Sequence, residues 1–390
     1  MNHMNPSAHP TPPAEGEGRL HNLNAGPGAL PLAALERARR ELLSFPGAGM
    51  SVLEMSHRSP PFEAILRRAE EALLALYGLS REGEHEVLFL QGGASLQFAM
   101  VPLHFGAGGA YVNTGEWATR ALAEARLAWG EGGAREVWSS AARGFDEVPQ
   151  GPLAAEDEAE GAAGAPYLHY TSNNTIYGTQ LRAHPTLAGG SRRPPLVVDA
   201  SSDLLSRPLD LSACDLVYAG AQKNAGPAGV TVALMRKSRS RAAPADPRCP
   251  TVLRYSTHAK AGSLYHTPPT FSIYMVALVA EWALEQGGLA ALEARAARRA
   301  GEVYALLDAH PDLYRGHARP HSRSHMNVTF RLPTPALEEE LLREAESAGL
   351  VGLRGHRSVG GLRASLYNAV TDEAVGALLH TLDRFARAGA

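Results

Sequence analysis

Apolar residues in this chain follow two rhythms. Over Pro61–Tyr77, Ile65, Ala69, Leu73 and Leu76 recur every three or four positions, which predicts an amphipathic helix. A turn at Asn24–Gly28 leads into another helix from about Pro31 to Leu43. Short apolar runs then alternate with helical stretches. Glu86–Leu90, Ala110–Asn113, Tyr167–Tyr170, Leu196–Asp199 and Asp215–Ala219 read as strands, with helices at Leu96–Leu103 and Trp117–Leu127. Gly229–Met235 follows a tight Gly-Pro-Ala-Gly turn, so it is expected to pair antiparallel with the strand before it.

Such alternation predicts an α/β fold: a mostly parallel sheet with helices on both faces. Ligands of these sheets gather at the carboxyl ends of the strands. From Phe271 one long helical pattern continues past Leu289 to Leu307. A strand near Met326–Arg331, a helix near Pro335–Ala348, a strand near Leu362–Tyr367 and a helix near Thr371–Ala388 then form a smaller α+β unit. The expected division is a disordered tail at 1–20, a large domain at 21–285 and a small C-terminal domain at 286–390. Polar stretches at 151–165, 189–195 and 238–248 read as surface loops.

Composition narrows the function. The chain has 390 residues, 45% of them hydrophobic, enough for two domains with substantial cores. Its 37 basic and 40 acidic residues leave a net charge of -3, which makes no electrostatic case for nucleic acid or an anionic membrane. No apolar run reaches the ~18 residues of a membrane span. The first twenty residues lack the apolar core of a secretory signal. Two cysteines, Cys214 and Cys249, are too few for a disulfide framework or a cysteine zinc site and fit a reducing cytosol.

The lysines are informative because there are three: Lys223, Lys237 and Lys260. Lys237 sits in a basic loop and Lys260 in a polar turn. Lys223 directly follows an apolar strand, where desolvation lowers an amine's pKa and frees it to attack a carbonyl. The preceding strand ends in Asp199. That residue reads equally as a turn cap or as the acid that keeps a pyridine nitrogen protonated. An Asp for the ring and a Lys for the aldehyde are what a pyridoxal-phosphate site requires. Gly92-Gly93-Ala94-Ser95, opening a helix, suits a phosphate, although many Gly-Gly turns serve geometry alone.

Several further motifs are specific. They are Ser56-His-Arg58, Gly92-Gly-Ala-Ser-Leu-Gln-Phe98, Gly115-Glu-Trp117, Asn173-Asn-Thr175, Asp199-Ala-Ser-Ser202, Ala219-Gly-Ala-Gln-Lys-Asn224, Thr267-Pro-Pro-Thr270 and Gly355-His-Arg-Ser-Val-Gly-Gly-Leu-Arg363. Taken in order from about Asn22 to Phe385, they resemble the phosphoserine aminotransferase family, within the class V aminotransferases. Read alone, Ser-His-Arg and Gly-His-Arg would be surface turns and Trp117 a core residue.

The resemblance implies the type I fold of pyridoxal-phosphate (PLP) transferases, with a seven-stranded sheet. It implies that Lys223 bonds the PLP aldehyde, that Asp199 pairs with the ring nitrogen and that Trp117 stacks on the ring. Thr175 would bond near the ring oxygen, and Ala94, Ser95 and Gln222 would hold the phosphate. His266 and Thr267 would reach the phosphate of a second subunit's cofactor, making a homodimer with shared active sites. Arg363 would clamp the substrate α-carboxylate; His57, Arg58, His356 and Arg357 would surround its distal anion. The implied substrates are L-glutamate and 3-phosphohydroxypyruvate, in serine biosynthesis in the cytoplasm. A side activity on 4-phosphohydroxy-L-threonine, in vitamin B6 synthesis, is also implied.

Two positions depart from the family pattern. Ala94-Ser95 stands where some members carry Gly-Arg, and His266 stands where Asn is usual. Among alternatives on the same fold, a serine- or alanine–glyoxylate transaminase would not need the His-Arg pairs. A cysteine desulfurase would need a mobile cysteine, which neither Cys214 beside a strand nor Cys249 in a Pro-flanked loop supplies. A non-enzymatic regulator would carry a DNA-binding domain, and the tail is too short to be one.

Overall fold

The computed structural model describes residues 18–153, 164–186 and 193–388. Most of the expected tail (1–20), most of the expected loop at 151–165 and part of that at 189–195 lie outside these residues.

The chain opens with a two-residue strand, β1 (His21–Asn22), then α1 (Leu32–Glu41) and α2 (Pro60–Leu76). The central sheet uses β2 (His85–Leu90), β3 (Gly109–Asn113), β4 (Ala134–Ser139), β5 (Leu168–Thr171), β8 (Leu196–Asp199), β9 (Leu216–Gly220) and β10 (Thr231–Arg236). Their spatial order is β2-β10-β9-β8-β5-β3-β4. Only β10 runs against its neighbours, as the Gly-Pro-Ala-Gly turn predicts. A two-stranded hairpin, β6 (Asn173–Asn174) with β7 (Thr179–Gln180), projects just beyond β5.

Period-two burial builds both faces of the sheet. Val87 and Phe89 face one core with α2 and α7 (Thr270–Glu285), while Leu88 and Leu90 face the other with α3 (Gly93–Phe105) and α4 (Glu116–Trp129). Fully buried Phe62, Ile65 and Leu73 fix α2 against the sheet, and burying each such side chain contributes roughly 1.5–3 kcal/mol.

The structure adds β4, which the sequence reading omits. It is an edge strand in which Arg135 and Glu136 are exposed and Ala134 and Val137 buried, so its apolar signal is thin. The expected loop at 238–248 begins with a single helical turn, α5 (Lys237–Ser240), and α6 (Tyr255–Lys260) follows. The long C-terminal helical pattern is two helices. Gly287, at φ +93°, ends α7, and α8 (Gly288–Ala309) leaves at an 82° bend.

Beyond the bend lies a second core. β11 (Arg315–Gly316), β12 (Asn327–Arg331) and β14 (Leu362–Ser365) form a three-stranded sheet, packed with α8, α9 (Pro335–Ser347) and α10 (Asp372–Ala388). β1 joins this unit, not the large one: it pairs in parallel with β13 (Leu350–Val351), and Leu23 is buried in the second core. Leu289 and Leu292 of α8 stay with the first core, while Ala300 and Val303 belong to the second.

Candidate active site

Six parallel strands end on one edge of the sheet, and the site is built there. β8 delivers Asp199, β9 continues through Ala221 and Gln222 to Lys223, and β2 runs into the glycine turn that starts α3. β3 leads through Thr114 and Gly115 to Trp117 on α4, and the β6–β7 hairpin carries Thr175. A cavity of about 330 Å³ lies among them, lined by Ala94, Ser95, Trp117, Thr175, Asp199, Gln222, Lys223, His356 and Arg363 together with Ala25, Gly26, Gly93, Phe98 and Ser201.

Asp199 is buried. Its Oδ1 accepts hydrogen bonds from Ser201 N (3.0 Å) and Ser201 Oγ (2.6 Å), and no described group donates to Oδ2. Ser201 Oγ in turn accepts from Gly220 N (3.2 Å), so the ends of β8 and β9 are tied together through one hydroxyl. Burial pushes the Asp199 carboxyl up; the Ser201 bonds and the Lys223 charge oppose this. Burial pushes the Lys223 amine down, against the attraction of Asp199, and the Arg363 charge adds to the lowering. The amine has no hydrogen-bond partner among the described residues and stands over the Trp117 ring. Trp117 is itself fixed by a bond from Nε1 to Thr175 Oγ1 (3.1 Å).

These groups fit PLP on structural grounds. An open Oδ2 on a buried carboxylate is a partner for a protonated ring nitrogen. An unbonded, desolvated amine is a partner for an aldehyde. At the start of α3, Gly92 (φ +83°) and Gly93 (φ +65°) turn the chain with no side-chain cap, and a Cβ on Gly93 would meet nothing within 4 Å. The first-turn N–H groups of this 13-residue helix are thus open to an anion.

Arg363, on β14, reaches the cavity from the smaller unit. Its Nη1 donates to Thr175 O (2.9 Å), while its buried Nε has no partner. An unpartnered guanidinium N–H at a cavity wall is a carboxylate site in waiting. His356 lines the same cavity, with Nδ1 2.7 Å from Ser358 Oγ. Burial and the charges of Arg363 and Arg357 push its pKa down.

Five of the expected site residues do not line this cavity. Arg357 is exposed on the loop beside His356. His57 and Arg58 sit in the turn before α2, and His266 and Thr267 in the segment before α7. The sequence reading also passed over Ser201 and Asn224. Asn224 donates to Ser202 O (3.0 Å) and accepts from Asn368 N (3.0 Å), pinning the Lys223 turn to the Asp199 turn and to the smaller unit. Polar residues beside both motif residues were the available signal. The cysteines fit no nucleophilic role: both are buried, and burial pushes the Cys214 thiol up to about 12.

A family model described as aminotransferase class-V matches residues 20–378. The chain belongs to the class-V aminotransferases. A relative in this family, the phosphoserine aminotransferase of Geobacillus kaustophilus (strain HTA426), is 49% identical over 372 residues, 95% of this chain and 99% of its own. The solved phosphoserine aminotransferase from Bacillus circulans subsp. alkalophilus superposes with a TM-score of 0.87 at 46% identity, covering 95% of this chain and 99% of that one. The PLP-bound phosphoserine aminotransferase from Trichomonas vaginalis gives a TM-score of 0.85 at 35% identity, over 94% of this chain and all (100%) of that one. The type I fold expected from the motifs is the fold found here, with its seven strands.

Proposed function

We propose that this class-V aminotransferase is a phosphoserine aminotransferase that uses PLP. It moves an amino group reversibly from L-glutamate to 3-phosphohydroxypyruvate, giving O-phospho-L-serine and 2-oxoglutarate. The observation that carries the reading is one cavity that joins the Asp199–Lys223 pair to Arg363, whose buried Nε awaits an acceptor, and to His356. The relatives named above, similar over nearly their full length, support it.

Bound here, PLP supplies an aldehyde for the substrate amine and a cationic ring that absorbs electrons from the α-carbon. The chain's residues do the rest. Asp199, through its open Oδ2, holds the proton of the ring nitrogen. Trp117 would stack on the ring, and Ala94, Ser95 and Gln222 would hold the phosphate. Lys223 Nζ, whose pKa burial lowers, takes the proton from the substrate α-carbon and later returns one. Arg363 orients the α-carboxylate. His356 and Arg357 meet the distal group, and an arginine fork accepts either the phosphate of one substrate or the carboxylate of the other. The same pocket chemistry extends to 4-phosphohydroxy-L-threonine.

The working unit is a homodimer in the cytoplasm. His57, Arg58, His266 and Thr267 lie off their own chain's cavity, in segments that expose large apolar side chains, among them Leu53 (62% exposed) and Tyr265 (46%). A second copy covers those side chains and brings the four residues to its partner's site. Residues 24–285 act as the large domain, and 286–388 with β1 and Leu23 as the small one.

A coupled assay comparing O-phospho-L-serine with L-serine as amino donor tests the substrate. Strong preference for the phosphorylated donor is expected; equal rates would overturn the reading.

A further inference from the structure

A second cavity, of about 460 Å³, opens where the two units meet. One wall comes from the large unit: Phe145, after β4, and Tyr177, in the β6–β7 hairpin. The other comes from the small unit: His317, Arg331 and the loop from Gly355 to Gly360. Arg363 lines this cavity and the Lys223 cavity alike, so it stands between them. Lys223, Asp199, Trp117 and His356 do not line this one.

The chemistry of the wall is one-sided. Tyr177 is flanked by Phe145 (ring centres 4.9 Å apart) and His317 (5.5 Å), and His317 is fixed by a 2.9 Å bond from Nε2 to Gly144 O. Phe145 holds a left-handed backbone, at φ +61°. Ile176, Val359 and Leu362 extend the apolar surface.

Among the described residues no Asp or Glu lines the cavity, while Arg331 and Arg363 do. Arg331 lies along the Gly360–Gly361 turn, where a Cβ on Gly360 would come 3.4 Å from its Nη2, and it makes no ion pair among the described residues. The nearby acids are engaged: Glu116 with Arg120 (2.8 Å) and Asp146 with Arg319 (2.9 Å).

We propose that this cavity is a second ligand site, for a flat aromatic acid whose ring packs against Tyr177 and Phe145 and whose carboxylate meets Arg331. The amino-transfer substrates do not match it. Glutamate and phosphoserine are small and charged at both ends, with no ring for the aromatic wall. The volume suits a one- or two-ring ligand.

The test is calorimetric titration of the holoenzyme with indole-3-acetate, in the presence of saturating O-phospho-L-serine. Saturable binding at one site per chain is expected. Indole-3-acetamide, which lacks the charge, and acetate, which lacks the ring, should each bind at least about tenfold more weakly. Arg331→Ala should weaken indole-3-acetate by about tenfold and leave amino transfer unchanged. Three results would each overturn the proposal: no saturable binding, unaltered binding to Arg331→Ala, or complete displacement by phosphoserine. The Arg331 comparison reads the same whatever the amino-transfer substrate proves to be.

Discussion

The Lys223 amine stands 5.7 Å from the centre of the Trp117 ring. Burial lowers its pKa, and Asp199 supplies the counter-charge. Lys223→Ala should therefore lower amino transfer by at least about 10²–10⁴-fold while leaving the unfolding temperature near that of the parent. The purified variant should lose the yellow colour of the bound cofactor. Borohydride reduction of the parent, followed by peptide mapping, should place the label on Lys223. A label on Lys237 or Lys260 would refute the assignment.

Trp117 owes its orientation to Thr175 through the 3.1 Å bond from its indole N–H. Thr175→Val leaves that N–H without its acceptor, at a cost of about 1 kcal/mol, or roughly fivefold in cofactor retention. Trp117→Phe keeps an aromatic face and should resemble Thr175→Val. Trp117→Ala should release the cofactor faster than either. Dialysis with absorbance readout ranks the three, and an unaffected Trp117→Ala would remove this residue from the site.

Arg357 is exposed, so its removal disturbs no core contact. A charge-assisted hydrogen bond is worth roughly 1.5–3 kcal/mol, so Arg357→Ala should raise KM for phosphoserine about ten- to a hundredfold. Cofactor content should stay at the parental level. Steady-state kinetics and cofactor quantitation on one preparation decide this; parallel loss of both would show that the residue acts on the cofactor instead.

Two buried histidines set an acid limit on stability. Burial pushes His104 down to about 4 and His169 down to about 3, from 6.5. Between those values and 6.5 the unfolded chain binds more protons than the folded one, so stability rises with pH across the window and falls as pH drops. Moving from about pH 7.5 to about pH 5 should cost on the order of 2 kcal/mol for each histidine. Urea midpoints at the two pH values measure it. His104→Gln should reduce the difference by on the order of 2 kcal/mol, and an unchanged difference would exclude His104 as a source.

What the sequence made legible was chemistry that follows a strand. Asp199 and Lys223 stand out because each ends or follows an apolar run, and the alternation of runs and helices gives the sheet. β4 was missed because an edge strand with exposed Arg135 and Glu136 carries little periodic signal. The break at Gly287 was missed because the apolar spacing continues across it while the backbone turns. Ser201 and Asn224 were passed over for another reason. Their value lies in bonds to Gly220, Ser202 and Asn368, contacts between segments that only folding brings together.

The pairing of β1 with β13 has a consequence for how this chain is made. His21 finds its partner at Leu350, and Leu23 is buried among residues of the C-terminal half. The segment between passes the lysine turn, where Gly28 N donates to Gln222 O (2.8 Å) and Tyr367 Oη donates to Ala25 O (2.7 Å). On the ribosome the first strand therefore emerges early and stays unpaired until almost the whole chain has been synthesised. Such distant closure is slow compared with local contacts. Ala25 and Gly26 of this same segment line the Lys223 pocket, so that wall of the pocket waits on contacts with the C-terminal half.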